Sequence, residues 1–314
     1  YKGISMKEIG GYFEFELNHG KEFHSDAIAL NTGRNCLRYL ILSRQIKVMY
    51  LPELLCGSIE EVCQEEGVTV IHYPIGKQWI PLIDATTVGE NYIYIINYYG
   101  QLHRDKQKEL TKKFSHVIID NAQAFYELPL PNIDTIYTCR KFFGVPDGAY
   151  LYSDCNLIPK LERDISYDRI SFLMGREETS ASTFFKEFQK NEMILQNKPL
   201  RYMSKGTQNL LRGIDYEAIK IQRNKNFEFL NKALYSINGL DVQKVTGAYM
   251  YPLHLTCGEE LRLKLQQRKI YVPLLWPNVR EHELARNLVP LPCDQRYTLK
   301  DMQHILDSID GIIS

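Results

Sequence analysis

Short apolar runs separated by amphipathic stretches fill the first half of the chain. Seven of them read as strands: AIALN (27–31), VMYLP (48–52), VTVIHYPI (68–75), YIYIINYY (92–99), HVIIDN (116–121), DTIYTC (134–139) and AYLYS (149–153). They are rich in Val, Ile and Tyr, and several are apolar at successive positions, the pattern of strands covered on both faces. Between them, RNCLRYLILSR (34–44), SIEEVCQEEG (58–67) and RDKQKELTKKF (104–114) space their apolar residues three and four apart. That spacing predicts helices with one buried stripe. Strand and helix alternating in this way predict an α/β sheet built from crossover units.

After residue 152 the pattern changes. Residues 157–230 are charged and helical in character and read as a connection between domains. Beyond them, the strand-like GLDVQKV (239–245), MYPLHLT (250–256) and KIYVPLL (269–275) mix with the helical EELRLKLQQR (259–268) and LKDMQHILDSI (299–309), as in a smaller α+β domain. The expected organisation is an N-terminal arm over 1–27, a large domain with its helical connection over 28–230, and a small C-terminal domain over 231–314. Met6 reads as a candidate start, and equally well as an internal methionine.

Composition narrows the partners. Lys plus Arg and Asp plus Glu are each 38 among 314 residues, and no basic block of six or more occurs. A zero net charge without basic clusters argues against nucleic acid and against an anionic membrane surface. Seven cysteines, odd in number and without a CxxC or CxH pattern, read as reduced thiols, with no metal site expected. No apolar run reaches the length of a bilayer span. A cytoplasmic protein is expected.

Three stretches carry candidate chemistry. In ALNTGRNCLRYLIL (29–42) a strand ends in Asn31-Thr32-Gly33 and a helix opens at once. Free backbone N–H groups and the positive end of the helix dipole make such a turn an anion site, so Thr32, Gly33, Arg34 and Asn35 could cradle a phosphate; a plain helix cap gives the same sequence. In HVIIDNAQAFYELP (116–129) Asp120 closes a buried strand at the edge where open α/β sheets bind ligands, and an Asx turn is the alternative. In TCRKFFGVPDGAYLY (138–152) Lys141 follows a strand end beside Arg140. Burial and the neighbouring charge would free its amine as a nucleophile, whereas a snorkelling surface lysine is the ordinary reading of one lysine alone.

Together, in this order, an anion cup, a strand-end carboxylate and a lysine match the phosphate, pyridine nitrogen and aldehyde of pyridoxal 5'-phosphate. These segments resemble the fold type I pyridoxal-phosphate enzymes, and among them the sugar aminotransferase family typified by DegT and StrS. The resemblance runs from about Ile9 to Asp310. NTGRNCLRYLI is similar to the family's phosphate segment, IIDNAQAF to its Asp-x-Ala-Gln/His segment, and TCRKFFGVPDGAYL to the segment with the Schiff-base lysine. PLRYMSKGTQNLL (199–211) resembles an Arg-Met-Ser segment near the subunit interface.

The resemblance implies a large domain with a mixed seven-stranded sheet between helices. It implies Lys141 as the Schiff-base lysine, Asp120 at the pyridine nitrogen, Gln123 near the ring oxygen or substrate, and Thr138 at the phosphate. It further implies a homodimer that moves an amino group from a donor such as glutamate to a nucleotide-linked keto-sugar. Tyr98, Tyr99, Tyr126, Phe142, Phe143 and Trp276 are candidate pocket walls, and Arg34, Arg140, Arg201 and Arg296 candidate anion ligands; Tyr98, Tyr126, Arg201 and Trp276 are the expected substrate contacts. The chain departs from the family pattern at TCRK and PDGA, at Leu54-Leu55 where a ring-stacking aromatic is usual, at Pro199 where Asn is usual, and at Leu275-Trp276 in place of His-Tyr. A catalytically silent scaffold and a sugar lyase are the alternatives; the retained Lys141 argues against the lyase, whose relatives carry histidine there.

Overall fold

The computed structural model of the chain describes residues 9–157 and 160–313, so Met6 lies outside the described residues. All seven expected strands form and join one sheet: β1 (Ile28–Leu30), β2 (Val48–Pro52), β3 (Thr69–Tyr73), β4 (Tyr92–Ile96), β5 (His116–Asp120), β6 (Asp134–Thr138) and β7 (Ala149–Tyr152). Their order across the sheet is β1-β7-β6-β5-β4-β2-β3. The run from β3 through β2, β4 and β5 to β6 is parallel. β7 is antiparallel to β6 and β1 antiparallel to β7, which returns β1 to the direction of the parallel five. The C-terminal ends of β1, β4, β5 and β6 therefore share one edge, the edge at which open α/β sheets bind ligands.

Helices α1 (Gly33–Arg44), α2 (Gly57–Glu65), the single turn α3 (Ala85–Val88) and α4 (Arg104–Lys113) connect these strands. α1 starts where Thr32 leaves helical geometry and its Oγ1 accepts from the Asn35 N–H at 3.2 Å, a cap worth about 1 kcal/mol. It ends where Gln45 turns left-handed at φ 56°. β4 stops at Ile96, short of the expected 99, because Tyr99 also turns left-handed, at φ 54°. Residues 157–230 carry α5 (Ser171–Glu178), α6 (Phe185–Gln196), α7 (Lys205–Arg212) and the start of α8 (Tyr216–Leu234). The C-terminal part holds α9 (Gly258–Gln267), α10 (Glu283–Asn287), α11 (Leu299–Ile313) and a two-stranded antiparallel sheet of β8 (Met250–His254) and β9 (Leu288–Pro292).

Two expected strands are absent. In 239–245 the backbone finds isolated partners instead of a ladder: Gly239 donates to the His254 carbonyl at 2.9 Å and Gln243 to the Gln101 side chain at 2.8 Å. Leu240, Val242 and Val245 are nevertheless buried, so the apolar spacing that suggested a strand serves packing alone. In 269–275 Lys269 sits left-handed at φ 62° after α9, and Pro273 lacks a ladder donor. Conversely β9, LVPLP, pairs as a strand despite two prolines. With only two strands in this sheet each has a free edge, where a missing N–H costs little.

The core has two parts. The larger lies on the sheet and in the C-terminal part, and the smaller is largely aromatic, built on Phe125, Tyr126, Tyr137, Phe142, Phe143 and Tyr150. His24 from the N-terminal arm is wedged into the second, its ring 4.1 Å from that of Tyr137. Its Nε2 lies 2.9 Å from the Phe125 carbonyl and its Nδ1 3.1 Å from the Tyr152 hydroxyl. Burial pushes this imidazole down to about 4, against the opposing effect of the Phe125 carbonyl. Among the described residues no helix is long and apolar enough to cross a membrane.

Candidate active site

The turn from β1 into α1 is held from behind by Asn31. Its N–H donates to the Arg201 carbonyl at 3.0 Å, and its carbonyl accepts from the Gly148 N–H at 2.7 Å. Its Nδ2 donates to Asp164 at 3.2 Å and to the Pro199 carbonyl at 3.0 Å. Asn35 belongs to the same support: its Nδ2 donates to Asn31 and to the Lys198 and Pro199 carbonyls, and its Oδ1 accepts from Arg38. The Asn35 side chain thus faces the protein and not the cup, a correction to the expectation that it cradles an anion. Asp164 is buried and also takes Arg169 at 3.2 Å and Lys198 at 3.3 Å. Burial alone would raise its carboxyl, but the Ile165 N–H, Asn31 and the two cations hold it below the usual range.

In front of this support, the first N–H groups of α1, at Gly33 and Arg34, have no intrahelical partner to find. The Arg34 side chain makes no hydrogen bond or ion pair among the described residues, yet its charge is felt by Arg140. Burial first, then Arg34, holds the Arg140 guanidinium down to about 10. Arg140 answers by pairing with Glu192 on α6. Two guanidinium groups near an open helix N-terminus form a positive cup. Thr138, at the end of β6, is half-buried and makes no side-chain hydrogen bond among the described residues.

Asp120 ends β5, and its register partner on β6 is Ile136, two residues before Thr138. The carboxylate is buried, at 7% exposure. Oδ2 accepts from the Tyr94 hydroxyl at 2.8 Å and Oδ1 from the Ala122 N–H at 2.7 Å, so neither bond comes from a cation. Desolvation pushes this carboxyl above its ordinary value, while Lys141, the Ala122 N–H and Tyr94 oppose the rise. Gln123 is buried beside it, with Oε1 accepting from the Tyr99 N–H at 3.0 Å.

Lys141 lies in the turn after β6 and is exposed, which corrects the expectation of a desolvated amine. The turn consists of single hydrogen-bonded steps onto the Cys139 carbonyl, with Cys139 itself tied to Gly148. Phe142 and Phe143 point into the aromatic core while Lys141 is left outside it. Its Nζ stands 5.6 Å over the ring of Tyr249 and is close enough to Asp120 to act on its carboxylate. Thr32, Gly33, Arg34, Asp120, Gln123, Thr138 and Lys141 thus gather at one edge of the sheet.

The four expected substrate contacts are placed differently. Tyr98 is fully buried and its hydroxyl donates to the Leu54 carbonyl at 2.6 Å. Trp276 packs against it at 5.6 Å, in a cluster completed by Trp79. Tyr126 lies in the aromatic core, and its hydroxyl has no hydrogen-bond partner among the described residues. Arg201 pairs with Glu162 at 2.9 Å. Three of these side chains are core, and the fourth is engaged at the surface. Arg296 is likewise taken, by Asp294 at 2.7 Å.

Tyr94, Tyr249 and Arg223 enter the site without a signal in the sequence. Tyr94 reads as one more apolar strand residue, and the other two lie far along the chain from Lys141.

No family model matches the chain, and no curated protein matches it by sequence. Among solved structures, a DegT/DnrJ/EryC1/StrS aminotransferase from Brucella abortus aligns over 91% of this chain and 85% of its own, at 13% identity and a TM-score of 0.62. The sugar aminotransferase CalS13 from Micromonospora echinospora aligns over 91% and 86%, at 12% identity and 0.59. NtdA from Bacillus subtilis, solved with bound cofactor PMP, aligns over 91% and 73%, at 13% identity and 0.63. The chain has their fold. The mixed seven-stranded sheet flanked by helices is the one that the resemblance implies. The cup, Asp120 and Lys141 all lie at its ligand edge.

Proposed function

We propose that the chain is a pyridoxal-phosphate-dependent aminotransferase that carries an amino group from an amino acid such as glutamate to the keto group of a nucleotide-linked sugar. The observation that carries this reading is Asp120. A buried carboxylate whose two hydrogen bonds come from neutral donors calls for a cation, and a protonated pyridine nitrogen would supply one. The residues fit the rest of the group as well. Gly33 and Arg34 N–H groups with the Thr32 and Thr138 hydroxyls would hold the phosphate, and Arg34 and Arg140 would offset its charge.

Bound there, the cofactor would supply an aldehyde carbon and an electron-withdrawing ring. Asp120 would keep the ring nitrogen protonated. Gln123 would orient the ring through its amide, with Oε1 already fixed by Tyr99. Lys141 would hold the aldehyde carbon through Nζ and, when free of it, move protons at that same atom. The sugar acceptor is supported by the shared fold with enzymes such as CalS13.

A homodimer belongs to the same proposal. In the single chain Lys141 is open to solvent, and Tyr167, Phe185 and Met193 expose 83%, 52% and 66% of their surface. With all seven cysteines free, the cytoplasm is the proposed compartment.

The test is chemical. Protein incubated with pyridoxal phosphate and reduced with borohydride should carry the pyridoxyl group on Lys141, and glutamate added before reduction should discharge the yellow form. Lys141→Ala should lose both responses. A parent protein that stays colourless and unlabelled at Lys141 would make the chain a binding subunit that keeps only the fold.

A further inference from the structure

We infer that Tyr249 is a positioning residue for Lys141, seating the charged amine on its ring face at the mouth of the crevice. The inference rests on the proposed role of Lys141 and adds to it a place where the amine waits when it is not bonded.

Tyr249 is only partly buried, and its ring lies 5.6 Å beneath the Lys141 Nζ. The negative face of an aromatic ring attracts an ammonium group at this range. The ring is fixed on two sides, stacked on Tyr99 at 6.2 Å and 27° and lying against Phe142 at 5.8 Å. Tyr99 is itself held in a left-handed turn, with its N–H on Gln123. The stack therefore joins the amine to the strand end beside Asp120.

The backbone is fixed too. Arg223, buried in α8, donates to the Ala248 carbonyl at 2.7 Å and to the Phe142 carbonyl at 3.1 Å, and its guanidinium lies 4.7 Å over the Phe142 ring. One side chain thus clamps the residue before Tyr249 to the residue after Lys141. Gln295 adds a second bond to the Phe142 carbonyl at 2.8 Å. Gly247 completes the approach: at φ +59°, a Cβ there would stand 2.1 Å from the Tyr126 ring. Only glycine brings the segment this close to the aromatic core.

Other charges near the amine do not provide the seat. Asp120 attracts it across the crevice, but among the described residues the two form no direct ion pair. Arg140, paired with Glu192, and Arg223, bonded to carbonyls, are cations and repel an ammonium.

Trace acetylation of the cofactor-free protein, read lysine by lysine by mass spectrometry, tests the seat, because the reagent takes only the uncharged amine and the remaining lysines serve as internal reference. Tyr249→Leu should speed Lys141 labelling about two- to fivefold relative to those lysines, the size of a cation–π contact at an exposed site. Tyr249→Met should do the same, and Tyr249→Phe should label at the parent rate. An unchanged or slower Lys141 in the two ringless variants, or a Tyr249→Phe that behaves like them, overturns the inference. A misfolded variant would speed all lysines together, and the second ringless variant then decides. Absence of the pyridoxyl adduct in the parent overturns the aminotransferase reading alone, whereas an adduct without the labelling difference overturns only the role of Tyr249.

Discussion

At Asp120, the proposed function and stability pull in opposite directions. Its carboxyl is raised by burial, so in the cofactor-free chain it favours the fold at low pH, where it is protonated, and that contribution is lost as pH rises through the folded value. At neutral pH the charge is a cost. Asp120→Asn keeps an oxygen for the Ala122 N–H and a partner for the Tyr94 hydroxyl. We expect it to match or exceed the parent in neutral-pH melting temperature without cofactor, and to lower transamination by about 10²-fold or more. A variant that melts lower at neutral pH, with activity intact, would contradict both halves. The residues of this site were legible because the strand ends are: Thr32, Asp120 and Thr138 each follow an apolar run. Lys141 was legible as a residue but not in its exposure, since whether Phe142 or Lys141 enters the aromatic core depends on a turn that local pattern does not encode. Tyr249 was invisible, its link to Lys141 being made only by the close pass at Gly247.

Among the elements, the strands of the large sheet could be read from their apolar runs: β2, β4, β5 and β6 are each buried at four of five positions, and the edge strand β3 leaves Thr69, Ile71 and His72 exposed. The smaller sheet could be read only in half, for β8 falls inside the expected 250–256 while β9 was not expected as a strand. Its β9 breaks the usual rule with Pro290 and Pro292, while 239–245, with better strand composition, is spent on single contacts. The N-terminal arm shows a different limit, for nothing in its sequence announces that His24 is its anchor. Because the folded imidazole is held near 4 against an ordinary 6.5, its contribution is fully present above 6.5 and drains away as pH falls toward 4. Urea unfolding should therefore lose up to roughly 3 kcal/mol across that window from this residue. His24→Phe, which fills the aromatic space without a titrating group, should flatten that part of the profile; an unchanged slope would place the acid sensitivity elsewhere.

For the whole molecule, exposed aromatic and methionine side chains on α5, α6 and the arm are more apolar surface than a lone chain ordinarily leaves in water. If a second copy covers them, folding and association are linked, and the melting temperature should climb by roughly 1–2 °C per tenfold rise in protein concentration. Sedimentation at the same concentrations should give twice the chain mass. A concentration-independent transition at single-chain mass would remove the dimer from the proposal.

The bonds around Asn31 have a consequence for the order of synthesis. Every strand of the large sheet has been synthesised once residue 152 is made, but the last backbone partner of Asn31 is the carbonyl of Arg201. At roughly 5–20 residues per second, those further ~50 residues take several seconds. During that interval a nascent chain owns its scaffold, but the turn from β1 into α1 is tied to Gly148 and not yet to Arg201.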